Sequence, residues 1–167
     1  MLNHVFCVYA SAFIFLGNVP IVLADGKCEF FAKASVGVLE FTGKGCTVKG
    51  SPKIKDGKVS GEFIVDMTKL DSGIDLRTEH MRDKFLEVGK FPKATLKLNN
   101  MLASGGKFDG MLTLHGKEKA ISGTAEQVTG GYSFKFDVKT SDYGLEKAGY
   151  KGIEIGENIS ISGTIDL

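Results

Sequence analysis

From residue 28 onward apolar and polar residues alternate with a period of two, and this rhythm is the strongest structural signal in the chain. Successive side chains on a strand point to opposite faces, so the rhythm predicts strands with one buried face. Phe30, Ala32, Ala34 and Val36 share a face of the first, and Leu39 and Phe41 follow past a turn at Gly37. Val59, Gly61, Phe63, Val65 and Met67 share another, against polar Lys58, Ser60, Glu62 and Asp66. The pattern resumes with Ala94, Leu96 and Leu98, then with Phe108, Gly110, Leu112 and Leu114, then with Ile121, Gly123 and Ala125. Tyr132, Phe134, Phe136 and Val138 come next, and Ile159, Ile161, Gly163, Ile165 and Leu167 end the series. About eight strands result, the number at which an antiparallel sheet closes into a small barrel. The short stretches "KDGK", "SGGK", "HGKEK" and "TGG" suit hairpin turns, which makes sequential antiparallel neighbours the expected topology.

Only residues 71–91 break the rhythm for long. There Ile74, Met81, Phe85, Leu86 and Val88 fall at mixed three- and four-residue spacings, with Thr78 or Asp75 available as an N-cap, and they predict a short helix near 77–86. Pro92 ends the helical tendency and starts the next strand, where a missing amide donor is tolerated. His80, Arg82 and Asp83 cannot all converge from one short helix, and no second cluster supplies a complementary acid or base. Most of them are expected to face solvent, with Met81, Phe85 and Leu86 turned toward the barrel, which makes the helix a flap.

The first two dozen residues carry no Lys, Arg, Asp or Glu and are apolar almost throughout. This run reads as a secretory signal peptide, residues 1–24, with Val22-Leu23-Ala24 as the small-residue cleavage site, although "MLNH" lacks the usual basic residue. An uncleaved membrane anchor is the alternative, opposed by Pro20 within the run. Residues 25–167 then form one domain, with no stable membrane insertion after cleavage and a periplasmic or secreted location. Removal of Cys7 leaves Cys28 and Cys46 in a compartment that permits disulfides. A single bridge is the simple reading, and two buried free thiols are the alternative. In a regular hairpin that bridge would place Phe30 beside Lys44 and Lys33 beside Phe41, spoiling the apolar face. A bulge at Gly43 or Gly45 would repair the parity.

The formal net charge of +1, with both signs evenly mixed, provides no field for nucleic acid or an anionic membrane surface. His80 and His115 lack partners at metal-ligand spacing, no G-x-S-x-G occurs, and "GKGCTVKG" lacks the Walker lysine-serine ending. No metal or cofactor is expected. Alternation cannot by itself separate a filled barrel from one with a ligand cavity. Inward glycines at 61, 110, 123 and 163 remove volume, and inward phenylalanines, Phe108 among them, supply walls with nothing to satisfy water; both features favour a cavity.

The segment "TEHMRDKFLEVGKFPKATLK", then "FDGMLTLHGKEKAIS", then "SDYGLEK" ahead of "ENISISGTIDL", resembles the YceI-like family of bacterial exported proteins, in that order and across essentially the whole domain. The resemblance implies a lipocalin-like antiparallel barrel that encloses an elongated isoprenoid or other long-chain lipid, and it implies no catalytic role. By motif position Met81, Phe85, Leu86 and Phe91 would form the flap and cavity wall, with Leu112 and Leu114 on the strand beyond. Two departures touch head-group recognition: "DGKCEFFAKAS" lacks the family's frequent His-Ser pair, and Lys139-Thr140 stand where an arginine often precedes Ser141. Phe30, Phe41, Phe63, Leu98, Phe134 and Phe136 complete the expected ligand-binding wall, and Arg77, His80 and Tyr143 are the rim candidates. The expected function is non-enzymatic binding of a hydrophobic small molecule by a monomer or homodimer. The alternatives are a filled barrel acting as an accessory or interaction protein, and a small-substrate enzyme in which His80 and His115 converge.

Overall fold

The computed structural model describes residues 24–34, 40–145, 149–150 and 153–167. Residues 1–23, which include Cys7 and nearly all of the predicted leader, lie outside the described residues, as do Val36, Gly37 and Leu39 of the first hairpin. In chain order the strands are β1 (Ala24–Ala34), β2 (Glu40–Gly50), β3 (Lys53–Lys55), β4 (Lys58–Asp66), β5 (Lys93–Leu102), β6 (Gly105–Leu114), β7 (Lys117–Val128), β8 (Gly131–Lys139), β9 (Gly149–Tyr150) and β10 (Ile153–Asp166). β1, β2, β4, β5, β6, β7, β8 and β10 are joined in that order, and β1 pairs with β10 to close the sheet. The result is the antiparallel eight-stranded barrel expected from the alternation, with β3 an appendage on β4 and β9 one on β10.

The register of the first hairpin shows how its parity conflict is resolved. Cys28 stands opposite Cys46, yet Phe30 faces Gly43 and Ala32 faces Phe41, so β2 carries one extra residue between the two stretches. Gly45, with a φ of 92°, hosts this bulge, and a Cβ there would come within 2.2 Å of the Lys69 carbonyl oxygen. The bulge lets Phe30 and Phe41 both reach the interior while Lys44 stays outside. The Lys44 backbone exchanges two hydrogen bonds with Asp71, at 2.8 and 2.7 Å. Cys28 and Cys46 form the disulfide, with Cα atoms 5.4 Å apart.

The barrel has a turn end, with hairpin turns at 56–57, 103–104 and 129–130, and a flap end, onto which the 67–92 connection folds. Phe63, Leu98, Met101, Phe108 and Tyr132 fill the turn end and are buried. The Phe108 and Phe136 rings meet edge to face with centroids 6.3 Å apart, and the Tyr132 hydroxyl donates to the Ala103 carbonyl at 2.6 Å. The inward glycines do not open space as expected. A Cβ on Gly123 would approach Phe108 Cζ to 2.7 Å, and one on Gly163 would approach Phe134 Cζ to 2.6 Å. Gly110 lies against the Lys97 carbonyl and Gly61 against Pro52, where a Cβ would come within 2.7 and 2.9 Å. These glycines seat rings and let backbones approach.

The flap helix starts earlier than predicted. Helix α1 (Asp75–Glu79) runs directly into a wider π-helical segment, His80–Phe85. Neither Thr78 nor Asp75 is the N-cap: extended Ile74 precedes the helix, and Asp75 is its first residue. The Thr78 hydroxyl instead accepts from the Ser72 amide at 3.0 Å and donates to Asp71 Oδ1 at 3.0 Å. In the wide turn the Leu86 amide bonds to the Met81 carbonyl at 2.8 Å, five residues back.

Candidate functional site

The flap end of the interior holds a cavity of about 580 Å³, within the size range of small-molecule sites. Its wall comes from almost every strand of the barrel and from the flap. Phe30, Phe41, Phe63, Phe134 and Phe136 line it from the strands, with Leu112 and Leu114, and Met81, Phe85 and Leu86 line it from the flap, all as placed by the sequence pattern. The pairs Leu76/Arg77, His80/Met81 and Phe85/Leu86 all reach the wall, and the last step is one residue longer than the first. That extra residue is the widening of the π-helical segment, which keeps one face of the flap on the cavity.

Three expected placements differ. Leu98 lies in the packed turn end, among Met101, Phe108 and Tyr132, because β5 carries it past the level of the cavity floor. Phe91 is not on the wall. Its ring packs on His115, with centroids 4.3 Å apart, at the end of a tight turn in which the Lys90 and Phe91 amides both bond to the Glu87 carbonyl. Tyr143 is no rim residue: the 3₁₀ turn Thr140–Tyr143 folds it inward until only 1 % of its surface is exposed, with its hydroxyl buried and unpaired. Burial, then the nearby Asp142, pushes the Tyr143 phenol up to about 12. His80, a rim candidate like Arg77, reaches the cavity wall with it, and its Nε2 lies 3.4 Å from Lys84 Nζ.

Polar side chains on the wall are few. Ser72, Arg77 and His80 come from the flap connection, Thr140 from the 3₁₀ turn that follows β8, and Glu29 from β1. Glu29 is answered by Lys44 at 3.6 Å. Arg77 is held in place: its Nε donates to Ser72 Oγ at 3.0 Å, an Nη donates to the Ser72 carbonyl, and its guanidinium lies 4.8 Å from the centroid of the Phe41 ring. Asp71 braces this corner, accepting from the Gly73 amide at 2.7 Å and from Thr78, and these bonds hold its carboxyl below the ordinary range. Outside the cavity, Glu87 pairs with Lys90 and, at 2.9 Å, with His115 Nε2, which lowers its carboxyl likewise. His80 and His115 therefore do not share a site. Among the described residues no three His, Cys, Asp or Glu side chains are grouped to hold a metal, and no helix is long and apolar enough to cross a membrane.

Wall residues that sequence reasoning missed include Val48, Leu70, Ser72, Leu76 and Ile155. Val48 was legible as the alternating partner of Cys46. Ile155 was legible too, two periods before Ile159 on the same strand face, whereas Leu70, Ser72 and Leu76 sit in the 67–92 connection, where no two-residue period points inward.

A family model described as a YceI-like domain matches residues 23–167. In fold the chain is similar to a polyisoprenoid binding domain from Saccharophagus degradans implicated in plant cell wall breakdown. The TM-score is 0.64 at 16 % identity, over 87 % of this chain and 97 % of that one. It is similar also to Burkholderia cenocepacia BcnA, with a TM-score of 0.65 at 18 % identity over 84 % and 94 % of the two chains. No curated protein matches the sequence.

Proposed function

This chain belongs to the YceI-like family, and from that premise we propose that it is an exported, non-enzymatic carrier that holds an isoprenoid or other long-chain lipid inside its barrel. The observation that supports this reading best is the cavity of about 580 Å³, whose wall is apolar except for a few side chains, most of them at the flap end. Such a space suits a hydrocarbon tail, which gains about 0.8 kcal/mol for each CH₂ removed from water. The similar domain from Saccharophagus degradans, itself described as polyisoprenoid binding, lends support. The Cys28–Cys46 disulfide, together with the leader-like run at residues 1–24, favours an oxidising destination, periplasmic or secreted.

Solvent extraction of the folded, purified protein followed by mass spectrometry tests the reading. A stoichiometric long-chain lipid is expected. A protein that yields none, and that takes up no isoprenoid or fatty probe afterwards, would remove the carrier function. Catalysis by His80 and His115 receives no support from the geometry, since only His80 reaches the cavity.

A further inference from the structure

Arg77 is a cation on the wall of a largely apolar cavity, and among the described residues no carboxylate pairs with it. A guanidinium presents five N–H donors. Two are committed, one to the Ser72 hydroxyl and one to the Ser72 carbonyl. The same contacts, with the Phe41 ring at 4.8 Å, fix the plane of the group, so its remaining donors are offered in a set direction. The site is braced from behind: Ser72 is 7 % exposed and bonds Thr78 at 3.0 Å, and Thr78 bonds Asp71. The carboxylate on the wall, Glu29, is already answered by Lys44. A half-buried arginine held this firmly, with no carboxylate partner among the described residues, matches an oxyanion that arrives with the ligand, because planar N–H forks bind carboxylate and phosphate with two parallel bonds.

We infer that Arg77 is a head-group anchor, and that the preferred ligand is a single-chain lipid with an anionic head, carboxylate or phosphate, whose tail runs from Arg77 into the apolar cavity. The inference rests on the carrier reading and goes further, since that reading holds equally for a neutral isoprenoid.

The test uses delipidated protein and matched probes: farnesyl phosphate against farnesol, and palmitate against hexadecanol. Wild-type protein is expected to bind the anionic member of at least one pair about tenfold or more tightly than its neutral partner, the scale of a charge-assisted pair at a partly solvated site. The pair with the larger ratio tells phosphate from carboxylate. In Arg77→Gln the ratio within each pair should collapse toward one, with the circular dichroism spectrum and the urea midpoint showing that the variant is folded. Arg77→Lys, with charge but no fork, should keep only part of the preference. Equal binding within both pairs in the wild type, or a preference that survives Arg77→Gln, overturns the anchor and leaves the carrier intact. Failure of all four probes to bind overturns both.

Discussion

At the turn end Phe63, Leu98, Met101, Phe108 and Tyr132 meet across the barrel and leave about 40 Å³, whereas at the flap end the same strands surround about 580 Å³. The alternation is equally regular at both ends, so period does not separate a filled interior from an empty one. Side-chain size does not separate them either, since phenylalanines line both ends and Ala125 borders the packed one. Strand pairing does. β2 and β4 are joined only from Thr47–Asp66 to Gly50–Phe63, and beyond the Gly45 bulge β2 leaves β4 and bonds to Asp71 instead. The barrel is splayed there, and the flap covers the gap instead of a ladder of backbone bonds.

This contrast can be broken at either end. Phe108→Ala, at a residue 4 % exposed in the packed end, should cost about 3–5 kcal/mol in urea unfolding while leaving lipid capacity unchanged. A loss under about 1 kcal/mol would mean that the turn end is loosely packed. Replacing both cysteines by alanine opens a link spanning 18 residues and should remove about 3 kcal/mol, with faster lipid exchange, since Cys28 and Cys46 also line the cavity.

Ala94→Phe sharpens the comparison from the other side. Its new ring enters open space, so stability should change by less than about 1.5 kcal/mol while bound lipid falls markedly by mass spectrometry. Unaltered lipid content would place the tail elsewhere.

The smallest effect concerns Glu87, just past the flap. Its carboxyl is held below the ordinary 4.5 by Lys90 first and His115 second. The sign follows from the lowered value: the contribution is present above about pH 4.5 and is lost as pH falls through the folded value. Glu87→Gln should flatten acid unfolding in that window, and a flap whose hydrogen exchange is the same in both proteins at every pH would show that the pair does not hold it.

The barrel, the need for a bulge at Gly43 or Gly45 and the apolar flap face were all legible in the chain. Alternation reports directly which side of a strand avoids water, and a disulfide clashing with that alternation requires an extra residue. The sequence alone does not show where along the barrel axis a residue lies, and Leu98 and Leu112 look alike although one is packed and the other borders the cavity. Nor does it show whether an inward glycine leaves a void or seats a neighbour's ring, as Gly123 does for Phe108, or that one wide helical turn would keep Phe85 and Leu86 on the same wall as Arg77 and His80. Periodicity is local and fixes faces. Depth, void and the meeting of Arg77 with Ser72 and Phe41 depend on strand stagger and closure, which only contacts between distant segments decide.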